Sequence, residues 1–273
     1  MKKLIKIAAL AMALTLTLFC FAGCGVEKND EKPIIVVGYT IYEPMNYQDA
    51  DGKLVGFDTE LAEKVFENLG YKPSFKLIEW TNKYTDLNSG VIDCIWNGFT
   101  CNSTDDDGVA RSEKVDFTFR YMENQQAIVV KKGSGIQSAD DLAGKIATAE
   151  AGSAGEGYAK GFENTTYKSV TKQTDGLMEV NSQTADFAVV DIQLAKSYCG
   201  KGDYADLEIV EALSSDLEYY AIGFKKGSEL TAKVNAELKK LGADGTLKTL
   251  ADKYGLGNSV VVDYSNQEIV DEK

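Results

Sequence analysis

The chain has 273 residues and a formal net charge of −13, from 42 acidic and 29 basic side chains. Nucleic acid is therefore an unsuitable partner, because its recognition needs a basic surface. The sequence contains no histidine, which excludes Ser-His-Asp and Cys-His nucleophile systems and metal sites built on histidine. An apolar content of 44% is enough for the cores of one large or two small globular domains.

The first 23 residues have the pattern of an export signal. Three lysines form a basic start, and the run 7–21 that follows carries no charge. The run is too short to span a bilayer comfortably and ends in Phe-Ala-Gly before Cys24, which resembles the lipobox where a bacterial signal is cut and the cysteine acylated. We therefore predict a palmitate-type lipid anchor at Cys24, a polar tether over 24–33, and attachment to the outside of a Gram-positive type cell membrane. The alternative is a buried N-terminal helix with an incidental cysteine.

Three cysteines remain in the body of the chain, namely Cys94, Cys101 and Cys199. They do not pair off, and none belongs to a CxxC motif. We expect free thiols that pack mostly as small buried hydrophobic side chains. A Cys94–Cys101 disulfide or a metal site is the alternative.

Short apolar runs alternate with helical patterns from residue 34 onward. The run 34–38 predicts a buried strand, and Asp58 or Thr59 is expected to cap a helix that Gly70 ends. Ser138, with Asp141 three residues later, predicts a capped helix start. Further strands are predicted at 75–78, 91–96, 126–130, 145–149, 186–190, 207–210 and 219–224, and further helices at 84–89, from 153, at 192–198, at 230–241 and at 246–254. This alternation predicts mostly parallel sheets with helices on both faces.

Three polar features lie where a ligand could bind. The stretch Gly152-Ser153-Ala154-Gly155 joins a strand to a helix start, where backbone N–H groups attract an anion, although a plain tight turn explains it equally well. Asp191 ends an apolar strand, where ligands collect in open α/β sheets, or it caps the helix that follows. Arg111 lies among acidic residues and, taken alone, predicts an exposed ion pair.

Two other patterns predict structure more readily than a site. The run 105–107 of three aspartates lacks the alternating ligand spacing of an EF-hand loop, so it predicts a solvated loop in preference to a calcium site. Aromatic side chains taken singly are expected in the core more often than against a ligand. These aromatic residues are Tyr39, Tyr42, Tyr47, Trp80 and Trp96.

A series of short motifs occurs in a fixed order along the chain. They are Tyr42-Glu43-Pro44, Leu54 to Asp58, Asp93 to Thr100, Arg111 to Phe117, Asp141 to Lys145, Ala185 to Asp191 and Ala243 to Thr246. Jointly they resemble the polar-amino-acid family of extracellular solute-binding proteins, the receptors of ABC importers, which includes the glutamine and lysine/arginine/ornithine receptors. The likeness extends over residues 34–256.

The resemblance implies an α/β, two-domain periplasmic-binding-protein fold of type II, in which two mixed sheets flanked by helices are joined by two crossing hinge strands. The crossings are expected near 119–123 and 216–219. The implied domain 1 comprises 34–120 and 219–264, domain 2 comprises 121–218, and 265–273 form a C-terminal tail.

The resemblance also implies a site for a zwitterionic ligand, with no cofactor and no metal. Arg111 would bind the ligand carboxylate, together with the N–H groups of Thr100 and of Ser153 or Ala154. Arg111 follows Thr100 by eleven residues, a longer spacing than the family usually has. Counting back from the Val-Asp-Phe motif at 115–117 still selects Arg111 for this role.

The ammonium group and the side chain of the ligand have their own implied partners. Asp191, the Gly98 carbonyl and the Thr100 hydroxyl would bind the ammonium, since a buried charge needs a partner. The side chain would lie between Tyr42 and Trp80, with Tyr39, Asn97 and Glu150 near its tip.

The implied function is capture of a polar amino acid by hinge closure of a monomer, and its delivery to ABC permease subunits with a cytoplasmic ATPase. Glu150 beside Asp191 argues against an acidic ligand and favours a cationic or amide side chain. Tyr39, where a lysine receptor would have an acid, argues against a strict lysine receptor. A cleft-carboxylate enzyme of the dehydratase type, with Glu150 as its acid, and a ligand-sensing domain are the alternatives.

Overall fold

The computed structural model describes residues 31–267. Its strands are β1 (Ile34–Tyr39), β2 (Tyr47–Gln48), β3 (Leu54–Val55), β4 (Lys72–Leu77), β5 (Cys94–Ile95), β6 (Asp116–Phe117), β7 (Met122–Asn124), β8 (Gln126–Lys131), β9 (Ile146–Glu150), β10 (Thr166–Val170), β11 (Phe187–Asp191), β12 (Leu207–Ile209), β13 (Glu218–Tyr220) and β14 (Gly223–Phe224). Its α-helices are α1 (Phe57–Asn68), α2 (Lys83–Asn88), α3 (Arg111–Lys114), α4 (Ala154–Lys160), α5 (Gln173–Asn181), α6 (Ile192–Tyr198), α7 (Glu229–Ala243) and α8 (Thr246–Lys253).

Two five-stranded sheets form the framework, and we call the parts of the chain built on them the first and second lobes. The first sheet has the order β4-β1-β5-β14-β6, in which β1 is parallel to β4 and β5 whereas β14 is antiparallel to both of its neighbours. The second has the order β10-β9-β11-β8-β12, in which β9, β10 and β11 are parallel and β8 is antiparallel to β11 and β12. The predicted two-domain α/β fold with mixed sheets is confirmed, while its residue boundaries stay a prediction.

Two short antiparallel strands, β7 and β13, connect the lobes, and Glu218 lies opposite Asn124 in their register. A C-terminal segment runs beside them. The Glu123 N–H donates to the Ser259 carbonyl at 2.7 Å, and the Gln193 amide of the second lobe reaches the Ser259 hydroxyl at 3.0 Å. The connection between the lobes therefore includes the segment at Ser259 as well as the two strands.

Helix α1 covers the first sheet with buried side chains at helical spacing, among them Leu61 and Val65. The predicted cap of this helix is wrong, because it begins at Phe57 and neither Asp58 nor Thr59 caps it. Asp58 is fully buried and instead accepts hydrogen bonds from the Gly98 N–H at 2.8 Å and the Tyr121 hydroxyl at 3.0 Å. Both donors bind Oδ2, and the carboxylate makes no capping hydrogen bond at its own helix start.

Other elements differ from the sequence-based expectation mainly in extent. The stretch predicted as one strand at 219–224 is divided between β13 and β14, because its first half pairs with β7 and its second half joins the first sheet. The Ser138 capping box exists, but it begins a single 3₁₀ turn over Ala139–Leu142. Strands β2, β3, β6 and β10 and helices α3 and α5 were not predicted. None of the described helices is long and apolar enough to cross a membrane.

The three cysteines are free thiols, as expected; Cys94 is fully buried and the other two are partly buried. The export signal, Cys24 and the tether up to residue 30 lie outside the described residues.

Candidate ligand-binding site

One cavity lies between the lobes, at the carboxyl ends of parallel strands from both sheets. Glu150 ends β9 and Asp191 ends β11, while Thr40 follows β1 of the opposite lobe. Ligands collect at this edge in open α/β sheets. The cavity has a volume of about 20 Å³, room for little more than one water molecule. It is lined by Thr40, Tyr42, Trp80, Asn97, Gly98, Thr100, Arg111, Glu150, Ser153, Ala154, Gln173 and Asp191.

Ten of the eleven residues implied by the resemblance line this cavity, and the exception is Tyr39. The Tyr39 ring instead packs edge-on against Phe75, with the ring centroids 6.3 Å apart. Thr40 and Gln173 also line the cavity and were not predicted. Each residue's contact with a ligand stays a prediction.

Arg111 is 1% exposed, so the expectation of an exposed ion pair is wrong. Its Nε pairs with the Asp105 carboxylate at 2.8 Å, its Nη1 donates to the Thr100 carbonyl at 3.2 Å, and its guanidinium carbon lies 5.2 Å from the centre of the Phe99 ring. The Phe99 ring and the opposite lobe bury the guanidinium. The acidic residues next to Arg111 in the sequence give no indication of either contact. Held from one side by Asp105, the fork has a fixed direction toward the cavity.

The loop that lengthens the spacing before Arg111 neutralises this charge. Burial acts to raise the pKa of Asp105, but the charge of Arg111 and hydrogen bonds from Lys114, Tyr84 and Arg111 lower it to about 2. Its neighbour Asp106 pairs with Lys160 of the second lobe at 2.6 Å. Ion pairs thus connect the aspartate run, which we expected to be a solvated loop, to both lobes. Within residues 31–267, no group of side chains could hold a metal ion.

The Gly152 carbonyl of the second lobe accepts hydrogen bonds from three donors of the first lobe. The Trp80 indole N–H, the Lys83 ammonium and the Arg111 Nη2 each lie 3.1 Å from this oxygen. Arg111 is a cation, and Lys83 is one below its lowered pKa of about 7, so the carbonyl occupies a positive position. These contacts hold the lobes together in the conformation described.

The glycine-rich stretch forms a capped helix start. The Ser153 hydroxyl accepts from the Glu156 N–H at 3.0 Å, and the Glu156 carboxylate accepts from the Gly152 N–H at 2.6 Å. The Ser153 N–H donates to the Glu150 carbonyl at 3.2 Å. Of the two N–H groups expected to help bind a carboxylate, that of Ala154 is therefore the better candidate.

Asp191 holds the N-cap position of α6, but its side chain makes no capping hydrogen bond. It accepts instead from the amides of Asn124 at 2.7 Å, Gln126 at 2.7 Å and Gln173 at 2.5 Å. Burial raises the pKa of Asp191, and the amide hydrogen bonds act in the opposite direction. The capping alternative thus does not describe this side chain, which forms an acceptor facing the cavity.

Glu218, on connecting strand β13, adds a third carboxylate beside the cavity. It accepts from the Gln126 amide at 2.9 Å, the Asn124 amide at 3.1 Å and the Thr100 hydroxyl at 3.3 Å. Burial raises its pKa, followed by the charge of Asp191. The same two amides therefore couple the connecting strands to Asp191.

Asn97 acts as a brace within the first lobe. Its amide donates to the Thr40 carbonyl at 3.0 Å and to the Asn46 side chain at 2.7 Å, while its oxygen accepts from the Thr40 hydroxyl at 2.5 Å. Gly98 follows with a positive φ of 56°, and a Cβ there would lie 2.6 Å from the Tyr42 ring. Only glycine fits this turn, which brings its backbone to the cavity.

Two buried groups of opposite sign, Glu150 and Lys83, lack an ion-pair partner within the described part of the chain; they are 5% and 3% exposed. Burial and then the charge of Asp191 raise the pKa of Glu150 to about 8, against the effect of Lys83. Burial and then the charge of Arg111 lower the pKa of Lys83 to about 7. Both groups therefore titrate near neutral pH.

Sequence reasoning missed four residues at or beside the cavity, namely Thr40, Gln173, Lys83 and Glu218. Gln173 and Lys83 are the first residues of helices α5 and α2, and such positions are usually solvated, so neither carries a local signal. Glu218 lies in the stretch that was predicted to cross between the domains. An acidic residue at that crossing was the only feature of the sequence that could have indicated its place beside the cavity.

The family of the chain follows from comparison with known proteins. The model of the bacterial extracellular solute-binding proteins, family 3, matches residues 34–257. The chain belongs to this family. The match spans both lobes and the connecting strands, so the predicted family membership is confirmed along with the fold.

Several relatives resemble this solute-binding protein over nearly their whole length. The arginine-binding extracellular protein ArtP of Bacillus subtilis (strain 168) is 30% identical over 265 residues, which cover 94% of this chain and 99% of ArtP. The structure of an ancestral arginine-binding protein bound to arginine is 33% identical, with a TM-score of 0.74 over 82% of this chain and 98% of that one. A substrate-binding protein of an ABC uptake transporter from Streptococcus pneumoniae, with bound histidine, is 31% identical, with a TM-score of 0.72 over 81% and 92% of the two chains.

Proposed function

We propose that this solute-binding protein captures a polar amino acid between its lobes. The observation that carries the proposal is a buried guanidinium and a buried carboxylate, Arg111 and Asp191, which line one cavity from opposite lobes. An amino acid presents the complementary pair, a carboxylate and an ammonium. The carboxylate and the ammonium of the ligand would then each meet a buried group of opposite charge.

Closure of the lobes over the ligand is the expected mechanism. The cavity of about 20 Å³ is far too small for an amino acid, so the lobes or the side chains between them must part before it enters. The ligand carboxylate would replace the Gly152 carbonyl at Arg111, and its ammonium would replace the Gln173 amide at Asp191. A ligand that touches both lobes favours the closed state by the contacts made only there.

Delivery to an ABC importer is the proposed destination of the ligand. A relative named as the substrate-binding protein of an ABC uptake transporter supports it. We further propose that Cys24 is acylated and tethers the protein to the outside of the cell membrane, because the lipobox-like sequence precedes that cysteine. A free amino acid and the permease subunits are then its partners.

Titration calorimetry of the twenty amino acids, cystine, ornithine and citrulline tests the ligand class. We expect binding of a cationic or amide amino acid, with aspartate and glutamate much weaker, because the carboxylate of Asp191, and that of Glu150 when it is ionised, repel a second anion. Incubation with a cyclohexadienyl acid serves as the enzymatic control. Turnover of that acid without amino-acid binding would favour the dehydratase-type alternative, and binding of glutamate alone would refute the proposed charge selection.

The lipid anchor has its own test. In a Gram-positive host the wild-type protein should sediment with membranes, whereas Cys24→Ala should appear in the medium, since the body of the chain would lose its attachment. Immunoblots of both fractions measure this. Equal membrane retention of the variant would contradict the anchor and leave the proposed binding site unaffected.

A further inference from the structure

We propose that the first lobe carries a second ligand-binding site, a cavity beside the connecting strands in which Arg120 binds a small organic carboxylate with an apolar body. This site is separate from the cavity between the lobes. It does not rest on the proposed capture of an amino acid, so either proposal can fail without the other.

The second cavity has room for such a ligand. Its volume is about 550 Å³, which lies within the range of small-molecule sites, whereas the cavity between the lobes has about 20 Å³. The two cavities share no lining residue. They are nevertheless neighbours, because Cys101 and Ser112 of the second cavity directly follow Thr100 and Arg111 of the first.

Part of the lining is apolar. It consists of Val115, Phe117 and Phe119, of which the first two are buried. Thr118 lies among them, but its hydroxyl already donates to the Phe119 carbonyl at 3.0 Å and accepts from the Ile222 N–H at 2.9 Å. These side chains are suited to the apolar body of a ligand, which they would remove from water.

The charge at the cavity comes from Arg120, the one charged residue among the described residues that line it. Its guanidinium carbon lies 4.8 Å from the centre of the Tyr219 ring. Burial raises the pKa of the neighbouring Cys101 thiol to about 11, although the charge of Arg120 acts to lower it, so this thiol is neutral at pH 7. Between residues 31 and 267 no carboxylate forms an ion pair with Arg120. One cation without an anion beside it suits a ligand with a single carboxylate.

Arginine is rare in this chain. Of its 29 basic side chains, only Arg111 and Arg120 are arginines, and each of them lines a cavity. A planar guanidinium offers a carboxylate two parallel N–H donors, which an ammonium does not. The residue type at position 120 therefore favours a carboxylate ligand over a less specific attraction of anions.

Residues of the lining also hold both connecting strands. Arg120 lies two residues before β7. In β13, the Tyr219 N–H donates to the Asn102 side-chain oxygen at 2.9 Å, and the Tyr219 carbonyl accepts from the Cys101 N–H at 2.9 Å. A bound ligand should therefore change the NMR chemical shifts of the backbone amides of Cys101, Arg120 and Tyr219.

3-Phenylpropanoate and 3-phenylpropanamide are a matched pair of probes, because they share an apolar body and differ in charge. We expect saturable binding of the carboxylate, with the amide weaker by about fivefold or more, the upper range for a partly exposed ion pair. An NMR titration of the wild-type protein measures both affinities and locates the binding. Equal affinities would overturn the proposal. Absence of binding would also overturn it, and would leave the cavity to a segment of the chain or to a macromolecular partner.

Variants of Arg120 identify the group that prefers the carboxylate. Arg120→Met removes the cation and should give the two probes equal affinities, whereas Arg120→Lys should recover only part of the preference. Lys225→Met is the control, since it also removes a cation from the first lobe but Lys225 does not line the cavity. This control should keep the preference. Its persistence in Arg120→Met would refute the role of Arg120.

Arg111 is the other guanidinium to which the probe carboxylate can bind. Arg111→Met should leave the affinity for 3-phenylpropanoate unchanged, because the second cavity is complete without it. Loss of binding in this variant, with wild-type shift changes at Gly152 and Asp191, would place the probe between the lobes and overturn the second site. The comparison of the two probes and the position of the shift changes need no variant, so they decide the matter even if a variant fails to fold.

Discussion

Arg111→Met should reduce the affinity for the bound amino acid by at least about 30-fold, the lower end of the roughly 2–5 kcal/mol lost when one partner of a buried charge pair is removed. The guanidinium is 1% exposed and is already oriented by Asp105. Its loss leaves the ligand carboxylate buried without its main donor. Titration calorimetry with the best ligand of the panel measures the effect. Arg111→Lys should recover only part of the affinity, because an ammonium lacks the planar fork.

Lys114→Met is the matched control for Arg111. It removes a cation from the same Asp105 carboxylate, at 2.8 Å, but Lys114 does not line the cavity. We expect a change in affinity of less than about threefold, since a partly exposed ion pair contributes little. Comparable losses in Arg111→Met and Lys114→Met would mean that Arg111 acts by holding the loop, and would remove it from ligand binding.

Asp191→Asn should also weaken binding by at least about 30-fold, because the ligand ammonium would face a neutral amide within a buried site. The substitution preserves the shape of the side chain. It also gives Asn124, Gln126 and Gln173 a poorer acceptor than the carboxylate they now share. The affinities of the variant and the wild type for the same ligand, measured by calorimetry, decide the matter.

Asp186→Asn serves as the control for Asp191, since Asp186 precedes the same strand, β11, at its other end. It accepts from the Ile146 N–H at 2.8 Å and pairs with Lys145 at 3.6 Å, away from the cavity. Its affinity should match the wild type, although the variant should melt at a slightly lower temperature. If Asp191→Asn bound the ligand as well as Asp186→Asn does, the ammonium site would have to lie elsewhere.

Much of the fold could be predicted because periodic apolar runs and turn residues carry local information. The predicted bounds of helix α6 agree with the structure, and those of α7 and α8 differ by no more than two residues. Strand β10 was not predicted because its residues are mostly exposed and therefore form no apolar run in the sequence. The division between β13 and β14 was also not predicted, because it depends on pairing with distant strands and not on the local sequence.

The site was predicted less evenly. Ten residues implied by the resemblance line one cavity, but the burial and the hydrogen bonds of each depend on contacts made across the fold. Asn97 lines the cavity as predicted, but its side chain is bound within a network to Thr40 and Asn46, which the sequence did not indicate. Arg111 looked exposed because its sequence neighbours are acidic, whereas its burial comes from Phe99 and the opposite lobe. Such states are properties of tertiary structure, and a single sequence does not encode them locally.

The segment that runs beside the connecting strands has a consequence for truncation. A chain ended after Gly257 would keep both sheets and every residue that lines the cavity, yet it would lose the bonds that Ser259 makes to Glu123 and Gln193. It would also lose the stacking of Tyr264 on Phe119, with ring centroids 5.4 Å apart. The link between the lobes would become less stiff, while the residues that line the cavity would stay intact. Shortening the chain at this end would therefore change how readily the lobes move relative to each other, without changing the residues that are available to a ligand.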